Sequence, residues 1–278
     1  MAIDDKIKTT AKEEGQRVKQ LTKDAVQSQA YLYPIKGIYY YASHRALWKP
    51  LMEKIVPCIT MGVGIFTSMF FFTYLPQAAV LALFNGPIAA VTTALLVLSE
   101  ASTIFMVSAK TFLIEDSLVD TFDGTLVSKG QTELVASNRQ VKSGGDSIAR
   151  LGKLVSKPFQ RFTPSAIIRY FMYLPLNFIP IVGTGIFILL QGKKTGPGAH
   201  ARYFQLKGMN NHRKEEHVEH RRGAYTGFGV VAVLLEMVPV VGVFFAFTNV
   251  VGAALWAADM EAADSTAPGL RAQAKKAE

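Results

Sequence analysis

Apolar residues in this chain come in long blocks rather than in the short period of soluble helices or strands. Ile55 to Ser99 contains no Asp, Glu, Lys, Arg or His across 45 residues. That is enough for two passes of about 20 residues each through a hydrocarbon core of roughly 30 Å. The block divides at Asn85-Gly86-Pro87, a strong turn signal, so residues 55–84 and 88–109 are expected to pair as a helical hairpin (55–109). The second arm is expected to run on as a helix into Lys110, Glu115 and Asp116, which mark water. A second uncharged run covers Tyr170–Gly192, and a third covers Gly223–Ala258, interrupted only by Glu236. The fold class is therefore an all-α integral membrane protein.

The second and third runs contain nearly the same phrase, "NFIPIVG" from Asn177 and "EMVPVVG" from Glu236. Pro175, Pro180, Gly183, Pro239 and Gly242 fall in the middle of otherwise helical stretches. Proline removes a backbone donor and disrupts the preceding turn, and lipid offers the freed carbonyls no partner. Halves of ten to fifteen residues rise only about 15–22 Å, too short to cross. Each phrase is read as the tip of a hairpin that enters the layer partway and returns, over 165–190 and 223–258. The alternative is one kinked full span per phrase. The hairpin reading places every charged segment on one side.

The polar segments complete the division of the chain. Residues 1–30 are charged and weakly amphipathic, with no apolar leader region. Residues 31–54 carry five Tyr and Trp48 beside Lys36, Arg45 and Lys49. Tyr39, Tyr40 and Trp48 are expected to anchor a short interfacial helix. Residues 117–164 read as a polar connector, 191–222 as charged cytoplasmic helices, and 263–278 as a disordered tail. The first 54 residues hold ten Lys/Arg against six acids, and Gln191–Arg222 holds eight against three. Such segments favour the cytoplasmic face and anionic lipid. Lys36, Arg45 and Lys49 are the candidate contacts for headgroups or anions. Small residues such as Gly62 and Gly64 could serve a homo-oligomer or only the neighbouring helix.

Little catalytic chemistry is visible. The one cysteine, Cys58, allows no intrachain disulfide and no zinc cluster. "HVEH", holding His217 and His220, is one residue short of a zinc-protease motif and reads as part of a solvated helix. No phosphate loop or nucleophile elbow occurs. Neither a cofactor, a metal, a nucleic-acid partner nor an enzymatic activity is expected. Glu100 and Glu236 are acids inside apolar runs, where such residues face the protein interior, pair or take up a proton. The expectation is structural: a hydrogen bond to open backbone near Pro239 for Glu236, and an interfacial position for Glu100. A proton- or cation-linked site is the alternative.

"YPIKGIYYYASHRALWKPL", "LNFIPIVGTGIF", "RYFQLKGMNNHRKEEHVEHRRGAYTGFGVVAVLLEMVPVVG" and "GAALWAADME" together resemble the family that joins CysZ-type sulfate permeases with etoposide-induced 2.4 proteins. The likeness runs from about Tyr33 to Asp259 and is greatest to the fungal branch of outer spore wall and lipid-droplet proteins. It implies two long membrane helices plus two half-inserted hairpins. For the fungal branch it implies residence in the endoplasmic reticulum and on lipid droplets, with a role linked to spore-wall assembly. For the permease branch it implies sulfate uptake, with basic residues at the entry to the first helix, a position taken here by Arg45 and Lys49. The 117–164 insert and the long charged N-terminus depart from a compact permease. Two readings follow. One is a lipid-embedded structural or lipid-handling protein with its polar parts cytoplasmic. The other is a small-anion transporter. A scaffold that recruits partners through residues 117–164 and 191–222 is a weaker third.

Overall fold

The computed structural model describes residues 23–142, 144–154, 182–238 and 241–277. Pro175, Pro180 and Pro239 lie outside the described residues, as do positions 1–22 of the N-terminal segment and 155–181. The described chain is helical except for one two-stranded ladder. Its helices are α1 (Tyr33–Ser43), α2 (Lys49–Asn85), α3 (Ala89–Ser108), α4 (Glu115–Ser128), α5 (Thr132–Ala136), α6 (Val182–Ala199), α7 (Ala201–Leu206), α8 (Asn211–His220), α9 (Arg222–Glu236) and α10 (Gly242–Ala277). The ladder pairs β1 (Arg139–Val141) antiparallel with β2 (Leu151–Leu154).

α2 and α3 form the expected hairpin. Pro50 sits in the first turn of α2, where its missing N–H costs nothing. Pro57 and Pro76 are accommodated inside the helix. Gly86 turns the chain at φ 56°, a conformation natural only to glycine. Ala89, Thr93, Val97, Ala101 and Phe105 recur every fourth residue on α3 and form its buried ridge. Gly62 faces the Phe105 ring across this contact, whereas Gly64 faces open space. The outer faces are bare and apolar. Only 17% of the most apolar window of this long helical stretch is buried, against 72% for the corresponding window of α10. The two candidate spans therefore differ in kind: one meets lipid, the other is the core of a bundle.

That bundle is built by close helix approach. α1 runs antiparallel to α10, with Gly37 against the Thr248 carbonyl and Gly252 against that of Tyr33. α6 runs antiparallel to α9. There Gly192 abuts Val230, Gly196 abuts the Tyr225 carbonyl, and Gly229 abuts the Gly192 carbonyl. Small residues permit such crossings where lipid supplies little hydrophobic drive. One core cluster gathers Phe122, Leu126, Tyr203, Tyr225, Phe228 and Trp256. A second joins Tyr41, Leu47, Cys58, Phe105, Ala109 and Phe247, tying the hairpin to the bundle.

Three expectations need correction. The stretch 117–164 does not begin as a polar connector. α4 continues the line of α3 through a π-helical turn, Ala109–Ile114, and buries Val119, Phe122 and Leu126. Its threonines satisfy their hydroxyls locally, Thr121 on the Ser117 carbonyl and Thr125 on that of Thr121, so a polar-looking helix becomes a core helix. The tail is not irregular: α10 extends to Ala277, as its Ala, Arg, Gln and Lys content favours. α1 does not merely lie on a surface. It buries Gly37 and Tyr41 in the bundle and leaves Ile35, Lys36 and Tyr39 exposed.

Candidate functional site

The most informative place is where the first hairpin meets the α9–α10 hairpin. Glu236 ends α9, and its Oε2 accepts from Lys110 Nζ at 2.5 Å. Asn249 of α10 donates through Nδ2 to Glu236 Oε1 at 3.1 Å and to the Ala232 carbonyl at 3.0 Å. Among the described residues the partners of this embedded acid are thus Asn249 and a lysine of the π turn, and Lys110 does not simply mark water. Glu100 lies deeper, on α3, half-buried against α2. Gln77 Nε2 donates to its Oε2 at 2.8 Å. It is a polar link between the two arms of the first hairpin.

Gly242 at the start of α10 packs beside Met106, and Val243 and Phe247 share a cluster with Phe105 and Ala109. The tip of the second hairpin is therefore level with the C-terminal end of α3. From Lys110 to Ala89 is 21 residues, about 32 Å at 1.5 Å per residue. The first hairpin thus projects about one bilayer core beyond the second. At its end Asn85, Gly86 and Pro87 are exposed, flanked by Leu83 and Phe84, which are 81% and 80% exposed. In the other direction, Gly37 sits opposite Thr248 and Gly252, and Gly192 opposite Val230. Exposed Lys36, Lys193 and Lys194 accordingly form a basic ring on the side of the bundle away from the tip of the first hairpin.

The aromatic-basic segment lies near this ring. Tyr39 is exposed, and Tyr40 hydrogen-bonds Ser128 Oγ at 2.6 Å while stacking on His44. Trp48 donates from Nε1 to the Tyr41 carbonyl at 2.7 Å. Lys36 Nζ lies 4.6 Å from the Tyr33 ring centre. Arg45 and Lys49 are exposed. The structure does not gather Lys36, Arg45 and Lys49 into one pocket.

Two buried polar centres escaped sequence reading. Asp123 has no exposed surface and accepts from Arg202 Nε (2.9 Å), Arg202 Nη2 (2.7 Å) and Arg139 Nη1 (3.1 Å). Arg139 also pairs with Asp120 at 2.7 Å, and its Nε donates to the Gly152 carbonyl at 2.6 Å. The signal was the spacing of Val119, Phe122 and Leu126, which puts Asp123 beside a core-facing ridge. The second centre is His200, also fully buried. Its Nε2 lies 2.8 Å from the Ala253 carbonyl, which can only accept, so Nε2 carries the hydrogen and Nδ1 accepts from the Tyr225 hydroxyl at 2.9 Å. Trp256, Tyr203 and Phe204 close around the ring.

Burial pushes the His200 imidazole from 6.5 down to about 3, against an opposing pull from the Ala253 carbonyl. The folded-state pKa is depressed, so the unfolded chain takes up this proton first as pH falls. The stabilisation is complete above pH 6.5 and is lost on the way down towards 3, at about 1.4 kcal/mol per pH unit. Thermal unfolding in detergent should show the midpoint falling between pH 6.5 and 4.5. His200→Gln should remove that part of the slope.

Among the described residues, no group of three or more His, Cys, Asp or Glu side chains is placed to hold a metal ion. His220 faces Glu216 at 3.9 Å, and His217 packs against Tyr203, Phe204 and Tyr225.

Comparison with known proteins gives the chain its relatives. Over 244 residues the chain is 20% identical to the outer spore wall protein LDS1 of Saccharomyces cerevisiae, covering 85% of this chain and 72% of that protein. Over 262 residues it is 22% identical to the outer spore wall protein RRT8 of the same yeast, covering 86% and 74%. Residues 33–246 match the family described as sulfate transporter CysZ/etoposide-induced protein 2.4. The chain belongs to that family.

Proposed function

We propose that this protein is a structural or lipid-handling component of a lipid layer, resident in the endoplasmic reticulum and on lipid droplets, with its polar segments on the cytoplasmic side. Its two yeast relatives are outer spore wall proteins, which supports a link to the spore wall. The carrying observation is the α2–α3 hairpin, which is lipid-facing and uncharged and ends in bare Leu83, Phe84 and Ile88. Measured from the Lys110–Glu236 pair, its tip lies about 32 Å away. That is the full depth of a hydrocarbon core of roughly 30 Å, so an upright bilayer would bring these apolar side chains to its far boundary. A phospholipid monolayer over an oil core has no far face, so the same tip stays in apolar surroundings. The α9–α10 hairpin enters from the same side only as far as the Lys110–Glu236 level, and α1 meets the headgroups with Tyr39 and Lys36.

Charge balance favours lipid over an inorganic anion at this place. Lys110 is already neutralised by Glu236, which leaves no net positive charge to hold sulfate.

The test is flotation of the tagged chain from oleate-fed yeast. The wild type is expected in the buoyant droplet fraction. Phe84→Lys places a charge at the tip at a cost of about 2.5–3.5 kcal/mol and should shift the protein to bilayer membranes. A wild-type protein that stays with bilayer membranes overturns the droplet reading.

A further inference from the structure

We infer that α8 is a pH-sensitive latch, closed while the His217 ring is neutral and released when that ring takes up a proton. This goes beyond the lipid-layer reading and does not depend on it. None of the residues of α8 is fully buried. The helix meets the bundle through three half-buried side chains, Lys214, His217 and Val218, which share one face by their spacing. Lys214 Nζ lies 5.7 Å from the Phe204 ring centre, and Val218 packs on the first core cluster. His217 is the central contact. Its ring centre stands 5.6 Å from that of Phe204 and 6.2 Å from those of Tyr203 and Tyr225. Gly208, between α7 and α8, turns the chain at φ 59° with open space where a side chain would stand. The helix therefore has a hinge at its start.

The hydrogen bonds of the ring make it intolerant of a second proton. His217 Nδ1 lies 3.4 Å from Arg221 Nη1. A guanidinium can only donate, so Nδ1 accepts and Nε2 carries the hydrogen. Nε2 is shielded from solvent and has no acceptor among the described residues. A proton added at Nδ1 sets donor against donor at Arg221 and leaves a charge beside aromatic rings that offer it no acceptor. The surrounding charges are mixed. Burial holds the imidazole below its usual 6.5, Arg221, Lys207 and His220 push the same way, and Asp264 pulls against them. Lys207 is bridged to Glu261, which also accepts from the Tyr203 hydroxyl. His220 faces Glu216, and Arg222 is paired with Glu219. His200, bonded to the Tyr225 hydroxyl, stays neutral above about 3. The docked pKa is depressed, so the released helix takes up the proton first. Docking is at full strength above pH 6.5 and weakens as pH falls below it.

The experiment is hydrogen–deuterium exchange of the full chain in detergent, read by mass spectrometry from about pH 7.5 to about pH 5 and corrected for the pH dependence of exchange itself. Peptides covering residues 211–220 are expected to lose protection below pH 6.5, by up to about tenfold per pH unit, the limit set by uptake of one proton. His217→Phe keeps a ring against the aromatic wall and titrates nothing, so its α8 should stay protected across the range. His220→Gln, on the exposed side of the helix, should leave the wild-type profile in place. Two further variants leave the ring and its packing alone. Arg221→Gln removes the nearest opposing charge and should shrink the loss, whereas Asp264→Asn removes the favouring charge and should enlarge it. Protection of α8 that does not change with pH in the wild type overturns the latch. So does a loss that persists in His217→Phe, or a profile that neither charge variant moves.

Discussion

Asp123→Ala is expected to lower the stability of the folded chain by about 3–5 kcal/mol, the usual penalty for breaking a buried ion pair from one side. The reason is what remains. Arg202 and Arg139 both direct guanidinium groups at this carboxylate and are almost fully buried. Without Asp123 their charges have, among the described residues, only Asp120, which reaches Arg139 alone, and the Gln205 and Gly152 oxygens. Asp123→Asn keeps the shape but turns one acceptor atom into a donor aimed at a guanidinium, so it should also be severe. The clasp spans α4, β1 and α7, and its loss should loosen all three together. Thermal unfolding in detergent and steady-state abundance are the measurements. Arg150→Ala serves as a control, since the half-buried Arg150 side chain makes one hydrogen bond among the described residues, to the Lys142 carbonyl. A midpoint shift for Asp123→Ala no larger than that of the control would show that the clasp contributes little.

Gly229→Ala is the second. A methyl at that position would overlap the carbonyl of Gly192 and press on the backbone nitrogen of Gly196. The obstacle is backbone on both counts, so no rotamer change can relieve it. α6 and α9 must move apart, and the Gly192, Gly196 and Tyr225 contacts open with them. Overpacking of this kind costs about 1–3 kcal/mol and more where backbone cannot give way. Because Tyr225 holds His200, the variant should also alter the environment of Trp256. Intrinsic fluorescence can report that shift alongside the unfolding midpoint. Gly64→Ala, at a site with open space, should change neither. If Gly229→Ala behaves like Gly64→Ala, the close crossing of α6 and α9 is wrong.

What the sequence disclosed and what it hid follow from the same physics. The first hairpin was legible because exclusion of charge over 45 residues and Asn85-Gly86-Pro87 act locally, and no tertiary contact is needed to read them. Glu236 was legible as an embedded acid because few positions in lipid tolerate one. Its partner was not, since Lys110 stands at the end of an apolar block and looks like any residue entering water. Only the fold brings it across 126 positions to α9. Asp123, Arg139, Arg202 and His200 were hidden for a related reason. Their segments are polar in composition, and burial of a charge depends on distant partners. The helical rhythm of Val119, Phe122 and Leu126 was there to be weighed, but the surrounding Asp, Ser and Thr residues masked it. The Gly192–Gly196 spacing on α6 was likewise present, without any sign of which helix would receive it.

From Ala89 to Ser128 the backbone runs helically without a break, about 60 Å at 1.5 Å per residue. One end of this rod stands in lipid and the other carries Asp123. A rod of this kind is a lever. The thickness of the surrounding lipid sets the tilt of its long arm, and the torque is delivered to the short arm, where two arginines grip it. The wider π turn at Lys110 is the compliant point near the fulcrum, so mechanical load from the lipid is concentrated on the Lys110–Glu236 contact before it reaches the polar side of the protein.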